Sequence, residues 1–128
     1  MAQNLEVKSL KFSHFGKNVP KQAKLSPDSF IQLALQVAFH RMHGNLPPCY
    51  ETASLRRFFD GRTETIRLPS IESANFVRAF NGKHGQTDGK DLYVLLVEAV
   101  NAHKEYSRQS IDGMCDLNIY HLPKCDLS

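Results

Sequence analysis

YETASLRRFFDGRTETIR, residues 50–67, is the stretch from which the architecture of this chain can be worked out. Tyr50, Thr52 and Ser54 occur at every second position, a period that places three hydroxyls on one side of an extended strand. An Asp-Gly pair ending at Gly61 supplies a turn before a second extended run. The segment therefore predicts two strands that are joined by a turn and share a polar face.

The same stretch is rich in groups that recognise anions. It holds four arginines and five hydroxyl side chains but only five apolar residues. Arginine presents a planar fork of donors to a carboxylate or a phosphate, and hydroxyls add directed hydrogen bonds. On chemistry alone, the composition fits both a binding surface for an anionic ligand and a surface hairpin with solvated arginines.

Two motifs in the stretch, YETASxRRF and GRTETIR, closely resemble the signature of the carnitine/choline acyltransferase family. Members of that family move acyl groups between coenzyme A and a trimethylammonium alcohol. FGK at 15–17, PK at 20–21 and KLSPDSFIQLALQ at 24–36 are similar to the same family at the same spacing. The resemblance covers about residues 4–113. It implies part of the two-domain, coenzyme A-dependent acyltransferase fold.

The resemblance implies a substrate site in the polar stretch. Tyr50 and Thr63 match family positions that bind the carnitine carboxylate, and Thr52 matches a position near the same substrate. Choline-using members tend to have GRVDN, without a hydroxyl, where this chain has GRTET. A hydroxyl that bonds a carboxylate is left unpaired by a ligand that lacks one. The resemblance therefore favours carnitine as the acceptor.

Four other residues match positions that contact coenzyme A in the family. They are Lys17, Lys21, Asp28 and Lys104. Lysine ammonium groups pair with the phosphorylated end of such a cofactor, and this pairing weakens as salt is added. Without the resemblance, lysines on a loop or on an exposed helix are more often simply solvated. The resemblance implies coenzyme A or acyl-coenzyme A as the co-substrate.

The catalytic groups of the family are missing from this sequence. The family's general base is a histidine in a Glu-His context, and none of the six histidines here follows a glutamate. Because a base must lie within hydrogen-bond reach of the carnitine hydroxyl, we predict no catalytic residue. The parent enzyme would transfer acyl groups reversibly between coenzyme A and carnitine, and this chain alone would be inactive. The alternative is a truncated paralogue that binds coenzyme A or regulates a partner.

Length, charge and cysteine content limit the class of protein. The 128 residues suffice for one domain with a modest core. Sixteen basic residues face 13 acidic ones, and basic and aromatic residues form no recognisable platform, so nucleic acid is not an expected partner. Three cysteines at irregular spacing fit reduced thiols, and hence an intracellular location.

We expect no integral membrane segment and no secretory signal. No apolar run reaches about 18 residues, and the amino terminus has neither a basic nor an apolar signal region. The parent family would place the chain in the mitochondrion or the peroxisome, and the cytoplasm is the alternative.

Hydrophobic periodicity and turn residues predict an α/β fold in which helices cover a mixed sheet. The expected strands are 5–12, 50–56 and 62–67, and the expected helices are 27–43, 70–80 and 91–112. Glycines and prolines place loops at 16–24 and 81–90. The family domain would span 1–113, followed by a divergent tail at 114–128. There Asn118 aligns with the arginine that completes the carboxylate site in carnitine-using relatives.

The helix over 27–43 has the clearest boundaries, with Ser26 as its N-cap and Gly44 just after its end. Apolar residues cover most of its circumference and predict burial on most sides, against the sheet. They leave a narrow polar stripe of Gln32, Gln36, His40 and His43. Because core partners from the rest of the fold are missing, exposed apolar faces would favour pairing with another chain.

Two groups of residues raise the question of a metal site. His40 and His43 lie one helical turn apart but lack a third ligand of fixed position. Cys115, His121 and Cys125 match none of the regular zinc spacings. We therefore expect no metal.

Overall fold

The computed structural model describes residues 6–82 and 91–114, which fold into four helices and one pair of strands. In chain order the elements are α1 (Asn18–Gln22), α2 (Pro27–His43), β1 (Cys49–Ser54), β2 (Thr63–Leu68), α3 (Ile71–Phe80) and α4 (Leu92–Ile111). This content confirms the predicted α/β class. The sheet within these ranges is a two-stranded antiparallel one, not the mixed sheet that was expected.

The predicted strand over 5–12 is wrong, because residues 6–12 adopt no regular structure. Val7 and Leu10 alternate with polar residues, yet their side chains are 81% and 91% exposed. An alternating pattern becomes a strand only when a neighbouring strand pairs with it. In the described part of the chain, β1 and β2 pair with each other and not with this segment.

The hairpin of β1 and β2 confirms the two strands predicted from the polar stretch, with bounds shifted by one or two residues. Thr52 lies opposite Thr65 in the antiparallel register. The connection makes two successive turns instead of one, since Phe58 N–H donates to the Leu55 carbonyl at 2.9 Å and Gly61 N–H donates to the Phe58 carbonyl at 3.0 Å. A Cβ at Gly61 would lie 2.1 Å from the Leu55 carbonyl oxygen, so glycine is required there.

The hairpin lies against α4. Ala53 and Ile66 are buried on its inner face, and α4 packs on both strands. The connecting segment is fastened to the end of the same helix, because Arg57 forms an ion pair with Asp112. The Arg57 guanidinium also lies 4.9 Å from the centre of the Phe58 ring. Contacts with α4 therefore fix the position of the hairpin.

α2 begins and ends where the sequence predicts. The Ser26 side chain accepts a hydrogen bond from the Ser29 N–H at 3.3 Å, and Pro27 is the first helical residue. Gly44 ends the helix in the left-handed conformation, with φ of 75°. α3 starts in a similar way, with Ser70 as its cap.

The hydrophobic core lies between α2, α3 and α4. Its buried residues are Leu25, Leu33, Val37, Phe76, Val77, Ala79, Leu95, Ala99 and Val100. α4 supplies Leu95, Ala99 and Val100 to this core and also contacts the hairpin. α4 is therefore the central element of the described structure.

The predicted surroundings of α2 are wrong. This helix packs against α1, α3 and α4 and not against the sheet. Two residues of its expected polar stripe, Gln36 and His40, are 1% and 6% exposed, whereas Ile31, Leu35 and Met42 are 58%, 59% and 71% exposed. His40 faces inward because its Nδ1 accepts a hydrogen bond at 2.9 Å from the amide nitrogen of an asparagine at the end of α3.

The segment predicted as a loop over 16–24 contains the short helix α1. Proline is tolerated in the first turn of a helix, which is where Pro20 lies. Pro20 is buried, and its carbonyl accepts a hydrogen bond from the Leu25 N–H at 2.8 Å. Lys24, with φ of 57°, reverses the chain into α2.

Several predictions fall on residues outside the described ranges. These are most of the loop at 81–90 and the tail beyond Met114, with Asn118 and the Cys115, His121 and Cys125 set. Among the described helices, none combines the length and the apolar character that crossing a lipid bilayer requires.

Candidate functional site

The exposed face of the hairpin carries a row of hydroxyls. Tyr50, Thr52 and Ser54 are exposed and share one face of β1, because alternate residues of a strand point the same way. Register places Thr63 opposite Ser54 and on the same face. We call Tyr50, Thr52, Ser54 and Thr63 the hydroxyl face.

Tyr50 and Thr63 lie at opposite ends of this face. Tyr50 pairs with Arg67, and Thr63 pairs with Ser54, four residues further along β1. A strand rises about 3.3 Å per residue, so the two positions are separated by roughly 13 Å along the hairpin. Thr52 lies between them. The face therefore forms an extended strip, and the structure does not bring the backbone positions of Tyr50 and Thr63, both expected at the carnitine carboxylate, together at one point.

Glu51 points to the other side of β1, toward α4. Its Oε1 lies 3.6 Å from the Nε2 of His103, and its side chain is 17% exposed. The ionisable group that faces Glu51 is therefore the His103 imidazole. Burial raises the pKa of Glu51, and the nearby Asp28 charge raises it further, while interaction with His103 lowers it.

His103 connects Glu51 to the start of α2. Its Nδ1 lies 2.8 Å from the hydroxyl oxygen of Ser29, and His103 and Ser29 are 6% and 1% exposed. The Ser29 N–H in turn donates to the capping side chain of Ser26. One imidazole on α4 therefore contacts both the hairpin and the first turn of α2.

Asp28 joins this group from the α2 side. One carboxylate oxygen each of Asp28 and Glu51 and one ring nitrogen of His103 all lie within 4.8 Å of one another. Two carboxylates and an imidazole can accept hydrogen bonds or ligate a divalent cation. We call Asp28, Glu51 and His103 the carboxylate–histidine cluster. In this cluster Asp28, which is expected to contact coenzyme A, lies behind β1. That strand carries Tyr50 and Thr52, which are expected to contact carnitine.

The expected coenzyme A lysines are all exposed. Lys17 caps α1 and Lys21 lies in its last turn, so both precede Asp28 on the segment that leads into α2. Lys104 directly follows His103 on α4.

The paired histidines of α2 are occupied by other contacts. Asn81 bonds His40 and also accepts a hydrogen bond from the Arg41 Nε at 2.8 Å. His43 lies against Phe39, with ring centres 4.4 Å apart. Arg41 stacks 5.2 Å from the Phe80 ring centre beside a cavity of about 480 Å³. This cavity contains none of the residues expected at carnitine or coenzyme A.

Sequence reasoning missed the carboxylate–histidine cluster as a unit. Of its three residues, only Asp28 was predicted to lie in a site, as a contact of coenzyme A. One signal was present: a histidine among the apolar residues of an amphipathic helix requires a polar partner once it is buried. The partners lie 74 and 52 positions earlier in the chain, a separation that local patterns do not reveal.

Residues 1–115 match the family model described as Choline/Carnitine o-acyltransferase. The chain is 50% identical over 113 residues to carnitine O-acetyltransferase of Columba livia, which covers 88% of this chain and 18% of that protein. It is 42% identical over 114 residues to choline O-acetyltransferase of Sus scrofa, covering 89% of this chain and 18% of that one. Human carnitine O-acetyltransferase is 46% identical over 113 residues, with 88% and 18% covered. The chain thus spans about a fifth of the length of these relatives, and it belongs to the choline/carnitine O-acyltransferase family.

Proposed function

We propose that this chain carries part of the carnitine and coenzyme A sites of an enzyme that transfers acyl groups reversibly between these two molecules. The observation that supports this most directly is the hydroxyl face. Tyr50, Thr52 and Thr63 share one exposed side of a hairpin that α4 supports from behind. An exposed, rigidly backed row of hydroxyls suits a small zwitterion better than it suits a packed core.

Thr63 supports carnitine over choline as the acceptor. The relatives of this chain include enzymes named for both alcohols, at 50% and 42% identity. Carnitine has a carboxylate that choline lacks, and a carboxylate takes hydrogen bonds from hydroxyls. Thr63 is exposed on the hydroxyl face and available as such a donor.

Coenzyme A is the proposed acyl carrier, held by Lys17, Lys21, Asp28 and Lys104. The three lysines are exposed, so their ammonium groups are free to pair with phosphates. Asp28 lies at the start of α2, beside the carboxylate–histidine cluster, where its carboxylate accepts hydrogen bonds. Coenzyme A carries amide and amino donors suited to that role.

The isolated chain is proposed to bind without turnover. Acyl transfer needs a base at the carnitine hydroxyl. His103 lies behind the hairpin, is 6% exposed and contacts Ser29, so it faces away from a substrate on the hydroxyl face. The second candidate function is a binding or regulatory module without chemistry. It uses the same surfaces and is favoured by the same position of His103 behind the hairpin.

Two measurements test the proposal. Calorimetric titration of the chain with coenzyme A and with carnitine should show binding of both, and weaker binding of choline. A thiol-release assay with acetyl-coenzyme A and carnitine should give no turnover above a heat-treated control. Absence of binding to both ligands would refute the proposed sites, and turnover would refute the claim that the chain is inactive.

The exposed apolar side chains of α2 support the further proposal that this face is covered in an assembled protein. Ile31, Leu35 and Met42 are each more than half exposed. Sedimentation velocity over a range of concentrations tests whether the chain associates with itself, and Leu35→Glu should then reduce association. A monomer at all concentrations would contradict self-association.

A further inference from the structure

We propose that His103 is a positioning residue that holds the hydroxyl face and the start of α2 in one fixed arrangement. This inference rests on the proposed function, because it concerns how the carnitine and coenzyme A residues are kept together. Its basis is the contact of one imidazole with two different elements, at Ser29 on α2 and at Glu51 on β1.

The side chains of His103 and Glu51 are largely shielded from solvent. The His103 side chain is 5% exposed and that of Glu51 is 17% exposed. Within residues 6–82 and 91–114, neither His103 Nε2 nor Glu51 Oε1 has a hydrogen-bond partner, and they face each other at 3.6 Å. A buried polar atom without a partner is costly, so each of these two atoms depends on the other.

His103 Nε2 and Glu51 Oε1 share the space for one proton. Two lone pairs facing each other in a buried site would repel, so one proton lies between Nε2 and Oε1, on either atom. The Ser29 hydroxyl holds Nδ1 at 2.8 Å and thereby fixes the orientation of the ring.

The contact between His103 and Glu51 orients β1 relative to the start of α2. Glu51 lies between Tyr50 and Thr52 on β1, so holding Glu51 against α4 fixes the rotation of the strand that presents the two hydroxyls. Ser29 directly follows Asp28 in the first turn of α2. His103 therefore determines where the hydroxyl face lies relative to Asp28. Lys104, the next residue of α4, moves with the same helix.

Two amide substitutions separate the two contacts. In His103→Asn the amide falls near the place of Nδ1, so the Ser29 contact can persist while the Glu51 contact is lost. In His103→Gln the longer side chain reaches the place of Nε2 and can keep the Glu51 contact. His43→Gln serves as the matched control, because His43 is an exposed histidine on a helix surface.

We expect His103→Asn to weaken carnitine binding by about tenfold, because the buried Glu51 Oε1 loses the group that faces it and β1 loses its support. His103→Gln keeps the contact with Glu51 on β1, so its carnitine affinity should stay within about threefold of that of the unmodified chain. A purely structural role predicts that ligand affinity follows melting temperature in all variants. Equal affinities of the folded Asn and Gln variants would overturn the proposal.

A ligand-free readout keeps this inference separate from the proposed function. In amide NMR spectra, His103→Asn should shift the signals of Tyr50 and Thr52, whereas His103→Gln should leave them near their original positions. If the unmodified chain binds neither ligand, the proposed function fails and these shifts alone decide the positioning role. If His103→Asn does not fold, Glu51→Met removes the same contact from the strand side and must produce the same shifts in Thr52.

Titration with zinc chloride gives a further decisive outcome. A rise in melting temperature with added zinc that disappears in Asp28→Asn and in His103→Gln would mean that the carboxylate–histidine cluster ligates a cation. That result would overturn a positioning role based on the shared proton. Unchanged melting in zinc supports it.

Discussion

Thr52 and Thr65 lie directly opposite each other across the hairpin, at the midpoint of the face on which Tyr50 and Thr63 mark the two ends. Cross-strand neighbours have Cβ atoms about 5 Å apart, so the two threonines form the narrow centre of the strip. Thr63 is two residues from Thr65 on the same strand and the same face. The two threonines of β2 therefore differ in position but hardly in chemistry.

Thr63 and Thr65 give a matched test of carnitine recognition. Thr63→Val removes a hydroxyl proposed to bond the carboxylate and should weaken carnitine binding by roughly tenfold or more, as expected for a hydrogen bond to a charged group. Thr65→Val, at an exposed position of the same face for which no carboxylate contact is proposed, should weaken binding less than Thr63→Val does. Isothermal titration calorimetry measures both, and equal losses in the two variants would contradict the assignment of Thr63.

The lysines before α2 should make coenzyme A binding sensitive to salt. Lys17→Ala and Lys21→Ala each remove a positive charge proposed to pair with phosphate, so the affinity should fall by about threefold for each at low ionic strength. The dependence of affinity on salt should become shallower as well. Lys11→Ala, which removes an exposed lysine in the irregular segment, is the control. Salt-independent binding in the unmodified chain would rule out phosphate pairing as the main contact.

Gly61→Ala should destabilise the fold through a backbone clash. An added Cβ at this position lies 2.1 Å from the Leu55 carbonyl oxygen, so the connection between the strands must shift. We expect a loss of about 2 kcal/mol in the free energy of unfolding, typical of overpacking. Gly16→Ala meets nothing within 4 Å and should cost much less. Urea denaturation measures both, and similar losses would show that the connection can relax.

The buried Glu51 should make stability depend on pH. Its raised pKa means that the folded state holds the Glu51 proton more tightly than the unfolded state does, whose carboxyl titrates near 4.5. No difference exists below that pH, and stability falls as pH rises from there through the folded-state pKa. Glu51→Gln should remove this fall.

Urea denaturation of the unmodified chain and of Glu51→Gln is carried out from pH 4 to pH 7, about three pH units that span the ordinary and the raised pKa. The quantity compared is the free energy of unfolding of the unmodified chain minus that of the variant. The difference should decrease with rising pH. Glu6→Gln, in the exposed segment before α1, is the control and should show no comparable slope. A difference that grows with pH would mean that attraction to His103 outweighs burial.

Local signals in the sequence predicted those elements whose determinants lie next to one another in the chain. Ser26 and Gly44 were sufficient to predict the bounds of α2, and the alternation from Tyr50 to Ser54 predicted β1. Apolar residues also alternate with polar ones around Val7 and Leu10, with a change of parity between them, but they predicted a strand that does not form. Alternation shows only that a segment can pair, since the partner strand comes from elsewhere in the chain.

The burial of polar residues was the part that local patterns could not supply. Gln36 and His40 read as a solvated stripe because glutamine and histidine are mostly found at surfaces, and the asparagine that bonds His40 lies 41 residues away. The contact of His103 with Ser29 joins residues 74 positions apart. The candidate site was thus predicted as separate residues through family resemblance, and the contacts that join them were found in the structure.

The two edges of the hairpin are open. Within the described residues the sheet consists of β1 and β2 alone, so the outward-facing backbone amides and carbonyls of both strands have no neighbouring strand. Two strands on their own are marginally stable in water, and α4 supports this pair on one side only. Both edges are therefore open to pairing with a further strand, which would lie in the same layer and continue the row of exposed side chains sideways.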